Sequence, residues 1–138
     1  METIQKSTAF LEKKGVDSAR LQSELLLAEV LGMPRLKLYL NFEKQLGDAE
    51  VERMRELIRR RGAREPLQHV LGKAPFGDLE LEVSPAVLIP RPETELLAER
   101  AGRFLAGLAA PKPRALDWGT GSGCLAISLA RHCPAAEV

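Results

Sequence analysis

The chain has 138 residues, 20 basic against 19 acidic, with 45% apolar and 28% charged side chains. That length allows one average domain or two small ones, and the composition excludes disordered, collagen-like and low-complexity classes. No apolar run approaches the roughly 18 residues of a membrane span, and the charged first thirty residues lack the apolar core of a secretory signal.

The first seventy residues read as four short helices. Ile4, Thr8 and Leu11 keep helical spacing until Gly15. Asp17 or Ser18 then offers a cap for a second helix with Leu21, Leu25, Ala28 and Leu31 on one face, stopped by Gly32. Pro34 at a first helical position opens a third through Leu36 and Leu40. Asp48 caps a fourth with Val51, Met54, Leu57 and Ile58 facing inward, ended by Gly62. None of these helices can bury its apolar face alone, so residues 1–72 form a small all-α domain. The cluster Arg53, Arg55, Arg59, Arg60, Arg61 and Arg64 alternates with Glu52, Glu56 and Glu65. It reads first as a solvated face whose last turn complements the helix dipole, and second as a contact for RNA or an acidic partner.

The pattern changes at Pro66, with five prolines from there to Pro92. Leu79-Glu80-Leu81-Glu82-Val83 alternates with a period of two, so residues 73–91 form a linker carrying a β-hairpin. From Pro92, Leu97, Ala101, Phe104, Leu105 and Leu108 mark one face of a helix ended by Pro111 and Pro113. Ala115-Leu116-Asp117 then reads as a buried strand, followed by a glycine-rich turn, a helix from Cys124 to His132, and a possible further strand at Ala136-Glu137-Val138. Strand, turn, helix and strand open a βαβ unit. Residues 92–138 are therefore the start of an α/β, Rossmann-like domain.

The chemistry lies in Asp117-Trp118-Gly119-Thr120-Gly121-Ser122-Gly123. Glycines between a strand and a helix reach positive φ and let a ligand approach the backbone, and the helix N-terminus offers unpaired N–H groups. The dinucleotide spacing G-x-G-x-x-G would need glycine at 124, which is Cys, and the P-loop would need a lysine that is absent. An acid two residues before the first glycine suits a ligand with both a carboxylate and cationic groups, such as S-adenosylmethionine. Asp117, Gly119, Thr120, Gly121, Ser122 and Gly123 are the candidate cofactor residues. A structural turn with Asp117 capping a nearby N–H is the plainer alternative. Trp118 either walls the pocket or packs on the sheet. Arg91 and Glu93 either stiffen the linker or fold over the cofactor site. The two histidines and two cysteines make no metal-ligand pattern. Cys124 and Cys133 read as free thiols, small helix-packing residues of a reducing, cytoplasmic compartment. Charge is near neutral in both halves, 13 basic against 11 acidic over residues 1–72 and 7 against 8 over 73–138. That argues against direct nucleic-acid binding.

Asp117 to Gly123 resembles motif I of the class I S-adenosylmethionine-dependent methyltransferases. A second match is more specific. Pro66-Leu-Gln-His-Val-Leu-Gly72, Phe76, and Val83-Ser-Pro-Ala-Val-Leu-Ile-Pro-Arg-Pro-Glu-Thr-Glu95 resemble the linker of the release factor glutamine methyltransferases (PrmC/HemK family). Glu24-Leu25-Leu26-Leu27-Ala28 and Val30-Leu31-Gly32 are similar to that family's helical region. The resemblance implies methyl transfer from S-adenosylmethionine to the side-chain amide nitrogen of the glutamine in the Gly-Gly-Gln motif of peptide chain release factors. It also implies a substrate-docking role for the helical domain, a soluble monomer, and no metal. A ribosomal-protein glutamine methyltransferase and a non-catalytic release-factor-binding fragment are the alternatives, with an NAD-dependent enzyme a distant third. The family's ribose-binding acid and its Asn-Pro-Pro-Tyr motif have no counterpart up to Val138. No catalytic residue is therefore expected within this chain, which reads as part of a longer protein, inactive by itself.

Overall fold

A computed structural model describes residues 2–40 and 45–138, which divide into two compact units, 1–71 and 72–138. Among the described residues no helix is long and apolar enough to cross a membrane.

The first unit holds helices α1 (Glu2–Lys13), α2 (Ala19–Val30), α3 (Arg35–Leu38), α4 (Asp48–Gly62) and α5 (Leu67–Leu71). One core joins them, with Leu11, Leu26 and Leu57 fully enclosed among Ile4, Leu27, Leu38, Met54, Ile58 and Val70. Several faces differ from the sequence expectation. On α2 the buried side chains are Ala19, Ser23, Glu24, Leu26, Leu27 and Ala28, while Leu21 is exposed. The apolar residues alone misplace that face because two polar residues turn inward. Ser18 stands before α2 in a left-handed conformation without a side-chain cap. Pro34 is the N-cap of α3 rather than its first residue, and Leu38 faces the core while Leu36 and Leu40 are exposed. The cap of α4 is Gly47, not Asp48, and its N–H donates to Glu50 Oε2 at 2.8 Å. The short α5 is a fifth helix that periodicity over so few residues could not reveal.

A cluster of bonds around the buried Glu24 ties α3 to α2. Glu24 accepts from Tyr39 Oη at 2.6 Å, Arg35 Nη1 at 2.8 Å and Arg20 Nε at 3.1 Å. Burial pushes its carboxyl up, but the Tyr39 hydroxyl and the Arg35 and Arg20 guanidiniums outweigh burial and hold it below its ordinary value. The arginine cluster on α4 is mostly internally paired. Arg53 bonds Glu56 and Arg55 bonds Glu52. Arg60 grips Glu65 through two nitrogens and reaches the His69 carbonyl, while Arg61 donates to Gln22 Oε1 and the Glu65 carbonyl. The Arg60 bond is what holds the Glu65 carboxyl below its usual range.

The second unit opens with an antiparallel hairpin, β1 (Lys73–Phe76) and β2 (Leu79–Glu82), paired Lys73 to Glu82 through Phe76 to Leu79. Alternation puts Leu81 inward with Phe76 and turns Glu80 and Glu82 to water. Helices α6 (Pro92–Ala106) and α7 (Cys124–His132) follow. Proline sits at the start of α6, where its missing N–H costs nothing. The buried face of α6 is Ala98, Gly102 and Leu105, whereas Leu97 and Phe104, expected inside, are exposed. The small residues let α7 come close: a Cβ on Gly102 would lie 2.8 Å from the His132 Cβ.

Ala115-Leu116-Asp117 does not form the buried strand expected. A single parallel bridge, Arg114 to Glu137, stands in its place, with Ala115 N–H donating to the Glu137 carbonyl and Glu137 N–H to that of Pro113. Leu116 is exposed. These bonds pair the segment with the residues after α7, as a parallel βαβ connection requires.

Candidate functional site: the glycine loop

The loop from Asp117 to Gly123 leaves the bridged segment and enters α7. Three of its residues, Gly119, Gly121 and Gly123, have φ of 79°, 56° and 76°. A side chain at any of them would be strained, which explains glycine at every second position. Gly123 is the N-cap of α7 and its N–H closes the loop onto the Thr120 carbonyl at 2.8 Å.

Asp117 braces this shape. Its Oδ2 accepts from Thr120 Oγ1 at 2.9 Å and from the Ala126 N–H at 3.2 Å. Ala126 is the third residue of α7, so the carboxylate caps the helix from a distance and adds negative charge at its N-terminus. The capping alternative raised for Asp117 is thus real. It uses one carboxylate oxygen, and no bond engages Oδ1 among the described residues.

The N–H groups of Cys124 and Leu125 open α7 and have no partner within the helix. Beside them, a Cβ built at Gly119 would meet nothing within 4 Å, and one at Gly121 only the Gly119 carbonyl at 3.8 Å. The loop is therefore an open cradle edged by amides. That arrangement can receive an anionic group such as a carboxylate.

The remaining candidates separate. Trp118 is 90% exposed. Ser122 is half-buried and Thr120 exposed. Arg91 is the exposed N-cap of α6, with its carbonyl accepting from Thr94 N–H, and no bond joins it to the loop among the described residues. Cys133 is buried with Leu105 and Leu129, Cys124 is half-buried, and both are free thiols. Among the described residues no group of His, Cys, Asp and Glu could hold a metal. Sequence reasoning missed a cleft of about 310 Å³ lined by Phe76, Asp78, Glu95, Glu99, Ser128 and His132, which lies apart from the loop. Its residues come from three separate elements, and no local motif signals such a cleft.

A family model described as the PrmC N-terminal domain matches residues 2–72. The chain belongs to that family. Curated relatives extend the match through the glycine loop. The chain is 46% identical over 129 residues to a release factor glutamine methyltransferase of Geobacter sulfurreducens, covering 94% of this chain and 44% of the relative. It is 46% identical to one of Chlorobaculum tepidum, covering 100% and 48%. It is 39% identical to one of Deinococcus radiodurans, covering 99% and 49%. The PrmC-type chain thus spans about half the length of the curated relatives it matches.

Proposed function

We infer that the whole protein transfers a methyl group from S-adenosylmethionine to the side-chain amide nitrogen of the glutamine in the Gly-Gly-Gln motif of peptide chain release factors. Within it, residues 1–72 dock the release factor, and residues 92–138 begin a Rossmann-like domain whose loop binds the donor. The observation that carries this reading is the braced loop. Three left-handed glycines are fixed by Asp117 against the first turn of α7. Support for the substrate comes from the curated relatives, all release factor glutamine methyltransferases by name.

The residues present fit the donor. Its α-carboxylate would take the open amides at the start of α7, and its cationic centres suit the neighbouring Asp117 carboxylate. An amide nitrogen is a poor nucleophile because its lone pair is delocalised into the carbonyl. Rate enhancement therefore rests mainly on aligning nitrogen, methyl and sulfur, for which proximity supplies on the order of 7–11 kcal/mol. The loop's part is to hold the donor still. Substrate contacts and the amide-binding residues belong to the whole protein, which acts as a cytoplasmic monomer without a metal.

Isothermal titration with S-adenosylmethionine tests the reading. Micromolar binding is expected, and Asp117→Ala should weaken it by about tenfold, in line with the loss of one charge-assisted interaction. Unchanged affinity in that variant would remove Asp117 from the site. Transfer of methyl to a release factor by the whole protein, read by mass on the Gly-Gly-Gln peptide, tests the substrate. Modification of a ribosomal protein instead would overturn that assignment.

A further inference from the structure

We propose that Thr120 is a positioning residue of the donor site: its hydroxyl fixes the Asp117 carboxylate so that the other oxygen, Oδ1, is held for the cationic end of the donor. This rests on the loop being the donor site. It changes the part of Thr120 from touching the donor to acting through Asp117.

The glycine pattern leaves position 120 open, and the loop gives it a use. Gly119 and Gly121, with φ of 79° and 56°, flank Thr120, and its carbonyl accepts the Gly123 N–H at 2.8 Å. The chain doubles back over three residues and sets the Thr120 hydroxyl 2.9 Å from Asp117 Oδ2. A carboxylate only accepts, so the hydroxyl donates there and its single proton is committed. None remains for the carboxylate of the donor.

What the bond adds is a fixed plane. The last torsion of an aspartate is broad, so a single bond leaves the carboxylate free to turn about it. The Ala126 N–H, at 3.2 Å, supplies one such bond from α7. Thr120 supplies a second to the same oxygen from within the loop. Two donors converging on Oδ2 hold the group in one orientation. Oδ1, which has no bond among the described residues, is then kept in place for a ligand. Threonine suits this task better than serine, because branching at Cβ stiffens χ1.

Calorimetry on the whole protein tests the role with three probes. S-adenosylmethionine carries a sulfonium and an ammonium, S-adenosylhomocysteine keeps the ammonium, and methylthioadenosine has neither. Thr120→Val and Thr120→Ala, both without the hydroxyl, should bind the first two about threefold to fivefold more weakly and the third as the parent does. Thr120→Ser should stay within about twofold of the parent for every probe. In an Asp117→Ala background Thr120→Val should cost nothing further, since its effect passes through Asp117. Thr120 is exposed, so the variants should melt with the parent. Equal weakening of all three probes, or losses that add to that of Asp117→Ala, would make Thr120 a support of the loop at large. Either result would overturn the proposal and leave the donor site standing, as would parent affinity in both hydroxyl-free variants. No heat with any probe from the folded parent would overturn the donor site itself, and this proposal with it.

Discussion

The two units use their apolar residues in opposite ways. In residues 1–71 five helices share one core, and the largest side chains, Leu11, Leu26 and Leu57, are fully enclosed. In residues 72–138 burial breaks into two small clusters, one around Phe76, Leu81 and Ala98, the other around Leu105, Leu129 and Cys133. Leu88, Leu96, Leu97, Phe104 and Leu116 are meanwhile more than half exposed. The first unit is held by burial. The second has two smaller clusters beside a hairpin, a braced loop and a parallel bridge. A core change should therefore act hardest in the first unit, and a change in backbone approach hardest in the second.

The largest effect should come from Leu57→Ala. Removing a fully buried leucine costs about 2–5 kcal/mol, which urea unfolding followed by circular dichroism would read. A loss under 1 kcal/mol would mean that the core is not shared as described. Next is Glu24→Ala, which leaves Tyr39 and Arg35 without their common acceptor and should cost about 1–3 kcal/mol. The same residue sets a pH dependence. Its folded carboxyl titrates below its ordinary value of 4.5, so its contribution is fully present above that value. It is lost as pH falls through the depressed folded value. In Glu24→Gln the acid unfolding curve should lose that component.

A pair of glycines sharpens the comparison at smaller magnitude. At Gly62 an added Cβ would meet the Phe10 ring edge at 2.6 Å, and that half-exposed ring can swing into water. At Gly102 it would meet the His132 Cβ at 2.8 Å, which moves only with α7. Gly62→Ala should stay within about 0.5 kcal/mol of the parent, the gain in helix propensity offsetting the shift. Gly102→Ala should cost about 1 kcal/mol or more. Equal melting temperatures for the two would break the contrast. Smallest of all, Arg53→Ala removes an exposed pair with Glu56 and should change stability by less than about 0.5 kcal/mol.

What the sequence made legible follows from how local each signal is. Helix lengths in α1, α4, α6 and α7, the hairpin and the left-handed glycines depend on near neighbours, and their patterns stand in the chain. Helix faces were less legible because partners decide them. Glu24 turns inward where Arg35 and Tyr39, from the next segment, meet its carboxylate, while Ser23 is buried with its hydroxyl unpartnered among the described residues. The spacing of Leu36 and Leu40 did not tell which side of α3 meets the core, and Leu38 is the residue packed there. In the loop, Asp117 was legible as an acid at a telling distance from glycine. Its bond to Ala126 reaches across nine residues and was only one of several possible caps.

The bridge between Arg114 and Glu137 also sets an order of events. It closes a loop of roughly two dozen residues, so ordering that loop costs entropy before any bond repays it. Helix α7 and the Asp117 brace shorten the free length and can form from contacts within the loop. The amides of Ala115 and Glu137 should accordingly be the last protected during refolding and among the first to exchange with solvent deuterium. The cradle beside them would take its ligand shape only once that slow tie is made.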